Sequence, residues 1–183
     1  MVTFLYILGG IVLLIVILAL IAPKNYHVYR SIVIDRPRAE VFRYVKFLRN
    51  QEAWSPWEER DPDMKKEFRG VDGEPGAVSY WKGNKQVGEG EQEIKRVAEN
   101  ERIETELRFF KPWKSVSDSY IKLEDTGANA TKVSWGFSGK SKFPSSIFML
   151  FMNIDKAIGK DFDQGLQKLK VILESHPQDT PPM

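Results

Sequence analysis

The chain has 183 residues, a formal net charge of +2, no cysteine and two histidines, His27 and His176. The length suits one domain plus an appendage. The composition excludes disulfides and a thiolate nucleophile, leaves little from which to build a histidine triad or a multi-histidine metal site, and gives no reason to expect a nucleic-acid partner. Five Trp and eleven Phe either fill a core or line a cavity, and composition alone does not separate the two.

The run Phe4 to Ala22 has no charged side chain. About twenty apolar residues in a helix cross a bilayer core of about 30 Å, so residues 3–22 are expected to form a transmembrane helix. A cleaved signal peptide would need a basic leader, and only Met1, Val2 and Thr3 precede the run. Between Lys24 and Asn50 lie seven basic and two acidic residues. Positive charge beside a span favours the cytoplasmic side, and it also suits an anionic lipid surface or a solvated face. The expectation is a single-pass protein of a bacterial inner membrane with its domain in the cytoplasm. Pro23-Lys24-Asn25 is too short to be a free tether.

Tyr26 to Ile34 reads as a strand. Asp35-Arg36-Pro37 reads as a helix start, with Asp35 or Arg36 at the cap and Pro37 in the first turn; Val41, Tyr44, Val45 and Leu48 form the apolar face. Trp54-Ser55-Pro56-Trp57 fits neither mid-helix nor a central strand. Its tryptophans are either a structural plug at a bend or the wall of a ligand pocket. Strands are predicted at 64–69, 77–82, 87–97, 102–110, 115–123 and 131–138, with Gly83-Asn84 as a tight hairpin connection. Alternation places Gly90, Gln92 and Ile94 on one face of the third of these strands. Ile103, Thr105, Leu107 and Phe109 share the inner face of the next, and Val133, Trp135 and Phe137 that of the last. The glycine face either leaves space above the sheet or permits a bend.

Pro144 to Ser175 is predicted as one helix about 45 Å long. Phe148, Phe151, Asp155, Ile158, Phe162, Leu166, Leu169 and Leu173 follow its apolar stripe at three-four spacing. Such a stripe needs a broad surface to lie on, and the fold class follows as α+β: a curved antiparallel sheet around a long C-terminal helix, within a domain spanning 26–175. Residues 176–183 are expected to be a disordered tail.

This order of elements resembles the helix-grip fold of the START-like SRPBCC superfamily. Four stretches, Ser31 to Pro37, Trp54 to Trp57, Val87 to Gly90 and Ile158 to Phe162, are similar to those of its polyketide cyclase/dehydrase-like subgroup. The resemblance implies an apolar cavity between sheet and helix that binds a hydrophobic small molecule or lipid. The residues expected to face it are Trp54, Trp57, Trp81, Gly90, Gln92, Leu107, Phe109, Trp135, Phe137, Phe148, Phe151, Met152 and Asp155. Asp155 interrupts the apolar stripe and is the one candidate acid or base; an ion pair with a nearby Lys or Arg accounts for it equally. No cofactor or metal site is expected. The partners expected are the bilayer and the apolar ligand. A cyclase or dehydrase and a membrane-tethered protein-interaction module remain the alternative readings.

Overall fold

The computed structural model describes residues 2–127, 129–141, 144–148, 150 and 153–175, without the side chains of 2, 5, 145 and 148. After helix α1 (Val2–Ile21), seven strands form one antiparallel sheet in the order β1-β7-β6-β5-β4-β3-β2. They are β1 (Asn25–Ile34), β2 (Lys65–Arg69), β3 (Val78–Lys82), β4 (Glu89–Ala98), β5 (Arg102–Lys111), β6 (Ser115–Gly127) and β7 (Ala130–Lys140). The first strand thus pairs with the last, Asn25 opposite Lys140 and Ile34 opposite Thr131. Three short helices, α2 (Arg38–Val45), α3 (Gln51–Trp54) and α4 (Pro56–Arg60), connect the two sheet edges.

The C-terminal run is not the single helix expected from its spacing. It divides into α5 (Ser145–Phe148) and α6 (Ile154–Ser175). Asn153 starts α6: its Oδ1 accepts the Lys156 N–H at 2.8 Å and its carbonyl accepts the Ala157 N–H at 3.1 Å. A side-chain acceptor at that position satisfies a donor that a helix start leaves free. The 22 residues of α6 span about 33 Å, and Phe162, Leu166, Leu169 and Leu173 are buried along it.

Other boundaries also shift. Pro37 is itself the N-cap of α2, which begins at Arg38 and ends before Leu48. Arg36 instead holds the end of α6, donating from Nε to the Leu173 carbonyl at 2.9 Å and from Nη2 to the Glu174 carbonyl at 2.8 Å. These carbonyls have no helical partner, and a cation there also suits the helix dipole. The β3–β4 connection is a loop over 83–88 rather than a two-residue turn, so β4 begins at Glu89. Asn84 organises that loop, its Oδ1 accepting the Gln86 N–H at 2.8 Å.

The two ends of the sheet are built differently. Toward Ile34, Thr131 and Arg69, the residues Ile34, Phe42, Ile94, Ile103, Leu123, Val133, Leu166 and Leu169 form a closed core. Toward Asn25, Lys140 and Glu89, the strands border a cavity.

No helix among the described residues is long and apolar enough to cross a membrane. The backbone of α1 is helical over 20 residues, Val2–Ile21. The helix expected at 3–22 is present, but the crossing of a membrane expected of it is not supported. The tail expected at 176–183 lies outside the described residues.

Candidate functional site

A cavity of about 290 Å³ lies between the hollow end of the sheet and the first half of α6. Its floor comes from alternate residues of successive strands: Trp81 on β3, Gln92 on β4, Leu107 and Phe109 on β5, Ser119 on β6, and Trp135 and Phe137 on β7. The period of two along each strand puts all of them on the concave face. Ile158, Asp161 and Phe162 roof it from α6, and Trp57 and Glu58 close one flank from α4.

The rings hold each other edge to face, an arrangement their quadrupoles favour. Trp81 and Phe109 meet at 76° with centroids 5.9 Å apart, and Trp57 and Trp135 at 85° and 5.7 Å. Phe162 stacks on Trp135 at 4.2 Å. Gln92 donates to the Thr105 hydroxyl at 3.1 Å, so its amide is held on the floor rather than left free.

Of the residues expected at the cavity, Trp57, Trp81, Gln92, Leu107, Phe109, Trp135 and Phe137 line it. Trp54 is fully buried behind Trp135, with ring centroids 4.8 Å apart, and does not line it. Its Nε1–H meets no acceptor among the described residues. Gly90 is covered rather than bare. A Cβ there would stand 2.6 Å from both the Trp81 ring and the Arg108 carbonyl. The missing side chain lets the Trp81 indole lie down on the sheet. Phe151, Met152 and the Phe148 side chain lie outside the described residues.

Asp155 is placed outside the cavity and exposed. Arg30 grips it bidentately at 2.9 Å from each of Nη1 and Nη2, and also reaches Asp163 at 3.3 Å. The guanidinium passes directly over Gly159, where a Cβ would be 2.0 Å from its Nη2. Hydrogen bonds from Arg30 hold the Asp155 carboxyl below its ordinary range. It is a latch between β1 and α6, which removes its candidacy as a cavity acid or base.

The structure adds a polar flank that hydrophobic patterning did not point to: Gln51, Glu52, Ser55, Glu58, Lys66 and Ser79. Lys66 is hydrogen-bonded to Glu58 and stands 3.2 Å from Glu52. Arg60 pairs with Asp161. The available signal was phase, since Lys66 shares the half-buried face of β2 with Phe68. Among the described residues, no group of three or more His, Cys, Asp or Glu could hold a metal ion.

A seven-stranded antiparallel sheet gripping a C-terminal helix, with an aromatic cavity between them, defines a helix-grip domain. The family described as polyketide cyclase / dehydrase and lipid transport matches residues 26–174, and the chain belongs to it. Among solved structures, truncated norcoclaurine synthase from Thalictrum flavum is similar at 10% identity and a TM-score of 0.63, over 85% of this chain and 98% of that one. A protein from Nitrosospira multiformis matches at 19% identity and 0.58, over 80% and 94%. One from Chromobacterium violaceum matches at 15% and 0.56, over 83% and 99%. At such identities the likeness is one of fold. No curated protein matches the chain.

Proposed function

We propose that this protein is a membrane-anchored binding protein for a hydrophobic small molecule or lipid, held between the sheet and α6. The observation that carries the reading is where the hollow end lies. The chain leaves α1 through Pro23 and Lys24 and enters β1 at Asn25, opposite Lys140. The Ser141 N–H donates to the Lys24 carbonyl at 2.9 Å. The end of the sheet tied to α1 is thus the end that carries Trp81, Phe109 and Phe137 around the cavity. The closed core lies at the far end.

α1 exposes large apolar side chains along its length, Phe4, Ile7, Leu13 and Leu20 among them. A helix apolar all round needs lipid or a partner to cover it. Bilayer insertion with the domain on the cytoplasmic side accounts for the run and for the basic stretch that follows. It sets the cavity close to the headgroups. Trp113, 81% exposed between Lys111 and Lys114 at the same end, is suited to an interface by ring and charge. A ligand could then pass from bilayer to cavity without crossing much water. The cyclase or dehydrase alternative would need an acid other than Asp155.

The test is extraction and mass measurement of the full-length protein. Alkaline carbonate should leave it in the membrane pellet, and native mass spectrometry after release from a bilayer should show one apolar adduct per chain. Release into the supernatant would refute the anchor. A bare mass under conditions that preserve the fold would refute the binding role.

A further inference from the structure

The cavity has two unlike walls, and the polar one carries a charge imbalance that bears on ligand chemistry. Among the described residues that line it, the charged ones are Glu52, Glu58, Lys66 and Asp161. Asp161 is matched by Arg60 from outside. Lys66, the one lining cation among them, already serves both Glu58 and Glu52. The side chains of Lys66 and Glu58 are only 20% and 24% exposed, that of Glu52 45%. Two carboxylates therefore share one ammonium at the cavity edge, and the group is one negative charge in excess.

We propose that the cavity selects an apolar ligand whose polar end is cationic, an amine or quaternary ammonium, over an amphiphile with an anionic head; the inference rests on the apolar-ligand reading above. A cationic head completes the group to neutrality without displacing anything. An anionic head either adds a third negative charge around the one Lys66 ammonium or displaces Glu52 or Glu58 and leaves a partly desolvated carboxylate unpaired. The aromatic wall acts in the same direction by an independent route. Trp81 lies directly across the strand pair from Lys66, and Trp57 adjoins Glu58 on α4. Indole faces attract cations and repel anions. A cation placed against these rings is thus favoured by the carboxylates and by the ring quadrupoles together.

The test uses full-length protein in nanodiscs of an uncharged digalactolipid, which offers neither headgroup charge nor a competing ammonium. Equilibrium dialysis against protein-free discs measures three probes on one aryl-alkyl body: 3-phenylpropyl-trimethylammonium, 3-phenylpropan-1-ol and 4-phenylbutyrate. The expected order is cation, alcohol, anion, with the cation bound at least about tenfold tighter than the anion, a ratio equivalent to about 1.4 kcal/mol. Glu52→Gln/Glu58→Gln turns the group from an excess negative to an excess positive charge and should reverse the order. Glu52→Gln alone changes the more exposed carboxylate and should remove most of the preference, which keeps the test open should the double variant not fold. Equal affinities, a wild-type preference for the anion, or an unchanged preference in Glu52→Gln would overturn the inference while the alcohol still binds. If none of the three binds above the blank, the apolar-ligand reading falls and the inference with it.

Discussion

At the sheet end bearing Ile34, Thr131 and Arg69, the strands close on interdigitated aliphatic side chains; at the end bearing Asn25, Lys140 and Glu89, the same strands surround a cavity of about 290 Å³. Both ends use the same alternation and the same helix. They differ in what stands opposite the sheet. At the closed end α2 packs Val41, Phe42 and Val45, each at most 1% exposed, against β6 and β7. At the open end the one-turn helices α3 and α4 cover the gap without filling it, and large rings meet edge-on. A concave sheet is solid where a helix plugs it and hollow where the connection only passes over.

The largest contrast should come from truncation. Leu169→Ala at the closed end should cost about 2–5 kcal/mol, the usual range for a buried leucine whose site cannot collapse. Leu107→Ala at the open end should cost under about 2 kcal/mol, because one side of that leucine already faces empty space. Chemical unfolding of the full chain in nanodiscs, followed by tryptophan fluorescence, measures both. Equal costs would mean that the open end is packed.

Much of this contrast was legible in the sequence. The alternation of Ile103, Thr105, Leu107 and Phe109, and of Val133, Trp135 and Phe137, put the floor residues on one face. Periodicity could not divide floor from plug, because Trp54 and Trp57 share one motif and only tertiary packing sends the first into the core and the second to the cavity. Nor could it show that Gly90 makes room for Trp81 rather than for a ligand. Spacing alone predicts a single long helix because the three-four pattern continues across the break between α5 and α6. Asn153, the capping residue, is polar and left no mark on the apolar stripe. Lys66 faces inward because its charge is met by carboxylates from α3 and α4, a pairing that no local pattern records.

A smaller effect should distinguish the two halves of α6. Gly159→Ala forces the Arg30 guanidinium off the helix. The guanidinium is the far end of a flexible side chain, so little stability should be lost, but the grip on Asp155 goes with it. Amide exchange should quicken over residues 154–163, which roof the cavity, and stay unchanged around Leu166 and Leu169. Uniform exchange along α6 would show that Arg30 does not hold the roof.

The smallest effect is expected from acid. Arg30 lowers the Asp155 carboxyl by hydrogen bonding, and Arg108 does the same to Glu93 on the convex face. Carboxyls lowered in the folded state contribute stability that is complete above their unfolded value, about 4, and is lost as pH falls through the folded one. Asp155→Asn should be less stable than wild type at neutral pH, and the two should converge as pH drops below about 4. The Asp155 side chain is 62% exposed, so added salt should shrink the difference. A gap that persists at low pH would assign the loss to packing.

The central claim, that the open end is space a ligand enters, is tested most directly at Ser119, which is 5% exposed and lines the cavity on β6. Ser119→Leu keeps the backbone pairing and places a larger apolar side chain in the cavity. Uptake of 3-phenylpropan-1-ol by the full-length protein, measured by equilibrium dialysis beside chemical unfolding, should fall by at least about tenfold with stability unchanged or raised. Undiminished uptake, or a stability loss of the roughly 1–3 kcal/mol that overpacking a filled core costs, would contradict the account.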